Sequence, residues 1–372
     1  MAIIDRPSVR PAPPFKPPRV RVGRATTAGA VRRATWWSAF RAHKLGYYSL
    51  LVFLALYALS LGAELISNDK PIFVLFEGRL YFPLFRPYLE TVFGGLPIAA
   101  DYLDPFLREK FAEPGNFALY PLNPYSYDTL AYYARGVHHP GAPTADNLLG
   151  TDTVGYDILA LLIYGFRISI TFALALTAAG TALGILIGAV QGYFAGKVDL
   201  FTQRLIEIWG AMPELYLLII FASIFQQSFL LLFVLMTMFG WVSVSDYVRG
   251  EFLRNRQLEY VAAGRALGLS NLQIMSRHIL PNSLTPVVTF LPFRMSAAIM
   301  ALASLDFLNL GVAQAPSLGK LLRQGKENLD AWWISAAAFT ALVVTMLLLT
   351  FIGEALRGSL DRRSAGRARA GT

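Results

Sequence analysis

No cysteine occurs among the 372 residues, which excludes a disulfide scaffold, a thiolate metal site and a cysteine nucleophile. Histidine is scarce as well. His138 and His139 adjoin in a Pro/Gly-rich stretch, His43 and His278 stand beside Lys44 and Arg277, and no spacing suits a metal centre. Charge is the third shortage: only 15% of residues are Asp, Glu, Lys or Arg and 55% are hydrophobic, whereas soluble domains carry about 25% charged residues. Too little polar side chain remains to cover a water-facing surface, so lipid is the expected solvent. The net charge of +9 would on a soluble protein suggest nucleic acid. Here the excess belongs to particular loops, and no nucleic-acid partner is expected. Ser/His/Asp, His-Glu-x-x-His and paired-carboxylate patterns are also missing, so the chain is not expected to catalyse a reaction.

What is present is a series of long apolar runs. A bilayer core needs about 20 apolar residues per helix, and such runs lie near 46–66, 168–191, 205–225, 228–245, 284–305 and 332–353. The expectation is an all-α integral membrane protein with six transmembrane helices. The third and fourth are joined by a hairpin at Gln226, Gln227 and Ser228. Residues 1–45, rich in Pro and Arg, read as a disordered basic tail, and 357–372 as a second tail. The first apolar run ends in Glu64, Asn68 and Asp69 rather than at a small-residue cleavage site, so it is expected to stay as an anchor. Loops on the side of the two termini carry 22 Lys/Arg against nine on the other, which orients both termini to the cytoplasm.

Residues 67–166, before a five-helix core at 167–356, are too long and too aromatic for a linker, with Phe73, Phe76, Tyr81, Phe82, Phe85, Tyr88, Phe93 and Tyr102 among prolines. An ordered subdomain on the outer face is expected. After it, Asp152 or Thr153 is placed to cap a short surface helix over 155–163. Gly180, Gly184 and Gly188 recur every four residues in the second run, a spacing that permits close helix packing.

The most informative stretch runs from Arg254 to Asn282, within a loop at 248–283. It reads as two short helices. Glu259 opens the first, the small residues Ala262, Ala263, Gly264 and Ala266 crowd it, and Leu267 precedes Gly268, which can supply the positive φ that ends it. Ser270 or Asn271 can cap the second helix, and Pro281 ends the motif. Small side chains allow a partner's backbone to approach closely, and Arg254, Arg256, Arg265 and Arg277 offer bidentate donors at the rim.

This stretch resembles the cytoplasmic loop of ATP-binding-cassette importer permeases, whose pattern is Glu-Ala-Ala, three residues, Gly, a run of nine, and Ile-x-Leu-Pro. The match anchors on Gly268, Leu280 and Pro281. It departs at Ala262, Gly264 and His278, where the family has Glu, Ala and Ile. Leu149-Gly-Thr-Asp152, Gly155-x-Asp157, Tyr164-Gly165, Gly192-Tyr-Phe-Ala-Gly-Lys-Val-Asp199, Arg249-Gly-Glu251, Ser304-Leu-x-Phe-Leu308 and Pro316-Ser-Leu-Gly319 extend the likeness to dipeptide and oligopeptide permeases of the second-subunit type. Ser67-Asn-Asp-Lys-Pro71, Tyr81-Phe-Pro83 and the enlarged first outer loop are similar to the Yej-type permeases of oligopeptide and microcin C import.

The resemblance implies the permease fold in the bacterial inner membrane. It also implies a homologous second permease, two cytoplasmic ATPase subunits that carry the ATP and Mg, a periplasmic peptide-binding protein and a peptide substrate. No cofactor is expected on this chain itself. The loop from Glu259 to Pro281 would couple ATPase closure to alternating access. Gly192 to Lys197 superficially suggests a phosphate loop, but it lacks a residue and leaves an apolar helix rather than a strand.

Glu207, Glu214 and Arg294 are charges in or near spans. Glu207 and Glu214, seven apart, share a face of a straight helix, and the three can line a peptide path. Equally, Glu207 can pair with Arg204 at an interface, Glu214 can mark a kink after Pro213, and Arg294 can hold a neighbouring helix through carbonyls. Asp306, Asn309 and the 313–330 loop are either a docking surface for a binding protein or an ordinary wet loop. An ion-gradient-driven secondary transporter or channel would share the spans, but no internal repeat is evident.

Overall fold

A computed structural model describes residues 36–130 and 139–370, the side chains of 36 and 361–370 excepted. The reading of 1–35 as a disordered tail lies outside the described residues. Residues 36–42, also assigned to that tail, instead form helix α1 (Trp36–Ala42). Its Phe40 is fully buried, and Arg41 lies over the rings of Trp37 and Tyr47 at 5.2 and 5.7 Å. Aromatic anchors at helical spacing outweigh the local charge.

Helix α2 (Lys44–Leu61) follows, then a short α3 (Ala63–Ile66) after a break at Gly62. Helix α5 (Ile158–Phe194) spans 37 residues. Next come α6 (Gly196–Gly210), α7 (Glu214–Ile224), α8 (Phe229–Gly240) and α9 (Val242–Asn255). The loop helices α10 (Glu259–Ala266) and α11 (Asn271–Gln273) lead through a π-turn at Ile274–Ile279 into α12 (Leu280–Phe307). Helices α13 (Leu318–Glu327) and α14 (Trp332–Ala370) follow, so residues 357–370 of the second expected tail continue the last helix, while 371–372 lie outside the described residues.

Among the described residues, five helices or helix runs are long and apolar enough to cross a membrane, and α6 with α7 makes a sixth if the bent pair counts as one span. That third span is not straight: α6 and α7 meet at 66° across Ala211-Met212-Pro213. Pro213 has no N–H to continue the ladder, which explains the break. Ser228, in the expected hairpin, caps α8, accepting from Leu231 N–H at 3.2 Å. The surface helix expected over 155–163 is absent as a separate element. Asp157, not Asp152 or Thr153, is the cap, accepting from Ala160 N–H at 2.8 Å, and the helix runs unbroken from Ile158 through a run with no proline to stop it.

Between α3 and α5 a small subdomain forms a three-stranded antiparallel sheet, ordered β2-β1-β3, from β1 (Phe73–Phe76), β2 (Arg79–Tyr81) and β3 (Phe117–Leu119), with helix α4 (Pro105–Phe111). Glu77 and Gly78, both at positive φ, make the tight β1–β2 turn. The core is aromatic. Phe93, fully buried, meets Phe76, Tyr81, Tyr102 and Phe111 edge-on, with centroids 5.2 to 6.0 Å apart. Burying one such ring is worth about 1.5–3 kcal/mol.

Asp157 ties this subdomain to the bundle. The fully buried carboxylate accepts from Asn123 Nδ2 at 2.7 Å and Asn147 Nδ2 at 2.9 Å, besides capping α5. Ser67 adds bonds to Asn123 and the Tyr125 carbonyl, and the Tyr164 hydroxyl donates to the Ser67 carbonyl at 2.9 Å. Asp152 turns the preceding loop by accepting from the N–H groups of Val154, Gly155 and Tyr156, and its other oxygen accepts from Gln324 on α13.

The expected 313–330 loop contains helix α13, and Asn309, Ala313 and Gln314 before it are exposed, but the stretch is tied down at both ends. Asp306 is buried and accepts from the Ser317 hydroxyl, while Lys320 Nζ donates to the carbonyls of Val312, Ala313 and Ala315 at 2.5, 2.7 and 2.9 Å. Burial pushes the Lys320 ammonium below the usual lysine range, and the Asp306 charge partly restores it.

The glycine spacing acts between α5 and α9. A Cβ on Gly184 would lie 2.5 Å from Val244 Cβ and 2.8 Å from the Trp241 carbonyl, and one on Gly192 would lie 2.5 Å from Phe252 Cβ and 2.6 Å from the Arg249 carbonyl. Only hydrogen at these positions lets the two backbones touch. The resulting seam ends in a buried cluster of Tyr193, Val248, Phe252, Val261, Ile274 and Ile279, on which the α10–α11 loop rests.

Candidate functional site

The α10–α11 loop is built from two consecutive capping devices. Leu258 precedes α10 in extended backbone, and Glu259 in the first turn complements the helix dipole. The helix stops in a Schellman arrangement: Gly268 N–H bonds the Arg265 carbonyl at 3.0 Å and Leu269 N–H the Gly264 carbonyl at 3.1 Å, with Gly268 at φ +77°. A capping box then opens α11. Gln273 N–H donates to Ser270 Oγ at 3.3 Å and Ser270 N–H to Gln273 Oε1 at 3.0 Å. Every polar group of the turn between Arg265 and Gln273 that these devices reach is thereby satisfied locally, which leaves a rigid wedge rather than a flexible connector.

The wedge is fastened to the bundle at its base. Val261 and Ile274 are fully buried and Gly264 is buried beside Leu269 and Ile274. Arg265 lies 5.5 Å over the Tyr193 ring, and the Tyr193 hydroxyl donates to Asn271 Oδ1 at 2.7 Å. Deeper in, Arg249 grips Asp199 through Nε and a 2.8 Å Nη2 bond, joining α9 to α6, and Asn255 donates to Ser283 at 3.3 Å. The Gly192–Asp199 stretch is thus the end of α5 and the start of α6, joined at Ala195 and held by Arg249, with a helix rather than a strand before it.

The opposite face of the wedge is bare and largely uncharged. Ala262, Ala263 and Ala266 are exposed there, with Leu267 at 81% and Leu272 at 74%, while Arg277 stands exposed beyond the second turn. Small residues surrounding two protruding leucines make a shallow apolar face on a firm base. Gly268 has open space around a notional Cβ, so only its backbone conformation demands glycine.

Two details depart from the expectation. The second short helix is not a separate element, because α11, the π-turn and α12 run on as one helix from Asn271 to Phe307. Pro281 accordingly sits in the first turn of α12 and terminates nothing. A proline inside a helix deprives the preceding turn of one donor, and the wider π-turn absorbs that defect. Within it Ile279 is fully buried, whereas His278 is only half-buried.

The three charges expected in or near spans sit in three different local settings. Glu207 on α6 pairs with Arg204 at 2.5 Å in an exposed position. Glu214 is the first residue of α7, beyond the 66° bend, so the seven-residue spacing does not put it on the face of Glu207. Arg294 donates to the Gly240 carbonyl at 2.7 Å and Ser243 Oγ at 3.1 Å, at the α8–α9 junction. Residues given no role by the sequence also matter: Leu272 and Tyr260 extend the bare face and Tyr193 anchors it, while Asn271, a candidate cap, instead accepts from the Tyr193 hydroxyl. The signal available in the sequence was the presence of these large apolar side chains in an otherwise polar loop.

A helical bundle for lipid, an aromatic subdomain on one end and a rigid apolar wedge on the other define the chain as a polytopic membrane permease. Residues 180–366 match the family described as binding-protein-dependent transport system inner membrane component. The chain is 45% identical over 332 residues to the inner membrane ABC transporter permease protein YejE of Escherichia coli K12, covering 88% of this chain and 96% of that protein. It is 42% identical over 355 residues to the peptidoglycan transport system permease protein YejE of Agrobacterium fabrum, covering 89% and 93%. It is 30% identical over 333 residues to the dipeptide transport system permease protein DppC of Lactococcus lactis, covering 88% and 90%. The chain belongs to this family and is an ABC importer permease of the peptide-transport type, a multi-pass inner-membrane transport component rather than an enzyme.

Proposed function

We propose that this chain is the second permease subunit of an ATP-driven peptide importer and that the α10–α11 wedge is where cytoplasmic ATPase subunits engage it. The observation that carries the reading is the pairing of a bare apolar face, around Ala263, Leu267 and Leu272, with a locally capped and deeply anchored base. Such a piece transmits a push without absorbing it. ATP and Mg are held by the ATPase subunits, whose closure moves the wedge and, through the α5–α9 seam, reorients the bundle between outward and inward openings. Both termini are cytoplasmic, and the aromatic subdomain is periplasmic, where a peptide-binding protein delivers its cargo. The broken span α6–α7, which exposes Leu200, Phe201, Ile208, Tyr216 and Ile224, fits a homologous second permease.

The substrate class is oligopeptide, including peptide antibiotics of the microcin C kind. The name of the Agrobacterium relative widens the class to peptides borne on wall fragments. Ala263→Arg in the assembled transporter tests the coupling. Ala263 is exposed, so the variant folds, and a guanidinium pushed into an apolar contact is expected to lower peptide-stimulated ATP hydrolysis and uptake at least tenfold, equivalent to about 1.4 kcal/mol or more. Leu272→Glu should act in the same direction. Normal stimulation and uptake in both variants would sink the proposal.

A further inference from the structure

At the end of the bundle where α2 begins and α14 finishes, a cavity of about 700 Å³ opens between the α1–α2 turn and α14. It is a separate feature from the wedge. Small residues create it: a Cβ on Gly46 would strike Ala355 Cβ and lie 2.8 Å from the Phe351 carbonyl, so α2 and α14 touch at that crossing and diverge beyond it, where Gly358 faces the His43 ring. Lys44 and Arg357 line the cavity from its two walls, with Glu354 the one acidic group. Among the described residues none of these three is in an ion pair. His43 Nε2 is buried at the wall with no hydrogen-bond partner.

The surroundings are amphiphilic. From the cavity mouth, α2 exposes Leu45, Tyr48, Leu51 and Val52 along its outer face. On the same turn Arg41 is laid across Trp37 and Tyr47, an aromatic shelf of the kind that sits at headgroup level. Two cations without an ion pair among the described residues, and an imidazole nitrogen without a hydrogen bond there, lie at the polar end of an apolar helix face and match a ligand with an anionic head and hydrocarbon tails. A soluble phosphate would satisfy the cations but leave the apolar run unused.

We infer that this cavity is a binding site for the headgroup of an anionic phospholipid, held between Lys44 and Arg357 with its acyl chains against α2. Glu354 tempers the site's affinity for the anion, and His43 Nε2 supplies a further donor when it carries the proton. The inference needs only a membrane location, not the coupling reading.

Native mass spectrometry of the assembled transporter, released from micelles doped with phosphatidylglycerol or phosphatidylethanolamine, tests it. Wild type is expected to retain phosphatidylglycerol preferentially. Each cation contributes about fivefold to binding near an anionic surface, so Lys44→Gln with Arg357→Gln should lower retention about 25-fold, leave phosphatidylethanolamine unchanged, and Glu354→Gln should raise phosphatidylglycerol retention severalfold. Arg86→Gln, on the aromatic subdomain, is the control for general loss of positive charge. Equal retention in wild type and the double variant, an equal loss in Arg86→Gln, or no gain in Glu354→Gln would each overturn the site. Displacement of the lipid by millimolar glycerol phosphate would overturn the lipid as occupant.

Discussion

Gly184→Leu should prevent the folded chain from accumulating. The position lies in the second half of α5, where a Cβ would come within 2.5 Å of Val244 Cβ and 2.8 Å of both the Trp241 carbonyl and Val244 Cγ1. Two of those contacts are backbone or Cβ atoms, which no rotamer change can move aside. Overpacking of this kind costs about 1–3 kcal/mol for added methylenes and more where helices must separate, and the same spacing is enforced at Gly192. Separation would also strand Gln191, which is fully buried and whose Oε1 accepts from the Ser245 hydroxyl at 3.2 Å across the seam. Fluorescence-detected size exclusion of a tagged chain measures the outcome. A monodisperse peak at wild-type height and wild-type thermal stability would show that the seam does not hold the bundle together, while Gly184→Ala should give an intermediate loss.

The second large effect is expected at Asp157→Ala. Removal of the carboxylate takes one acceptor from each of three buried donors, the Asn147 amide, the Ala160 N–H and the Asn123 amide, the last of which keeps its bond to Ser67 Oγ. At about 1–3 kcal/mol for each unsatisfied group, the total is on the order of 4 kcal/mol. The loss falls on the attachment of the subdomain rather than on the spans, because Asn123 and Asn147 belong to the outer segments while Ala160 begins α5. Limited proteolysis should therefore cut within 67–157 many times faster than in wild type, with the bundle still intact. Asp157→Asn retains one carbonyl oxygen and should cost clearly less. Similar cleavage rates for wild type and Asp157→Ala would remove Asp157 as the tie.

The legible parts of the wedge were those governed by neighbours in the chain. Gly268 at positive φ and Ser270 with Gln273 three residues later are local devices, satisfied within one turn, so residue type and spacing suffice to read them. Pro281 ends the motif without ending a helix. Its missing N–H usually stops a helix, but here a π-turn takes up the defect and the buried Ile274 and Ile279 keep the helix going. Glu207 and Glu214 share a face only on a straight helix, and the bend at Pro213 removes that condition. The three strands of the aromatic subdomain, three or four residues each, are too short to register as alternation.

The amino-acid sequence alone determined that the chain is helical and embedded, because runs of about 20 apolar residues leave the backbone no hydrogen-bond partners but its own. It also determined where the wedge lies and which glycine turns it. Tertiary structure decided which neighbour each glycine of α5 touches, that Asp157 rather than Asp152 caps that helix and anchors the subdomain, and that Arg294 spends its charge on the Gly240 carbonyl. Those outcomes depend on which distant segment arrives beside a residue, a matter of packing between elements that no single stretch of sequence contains.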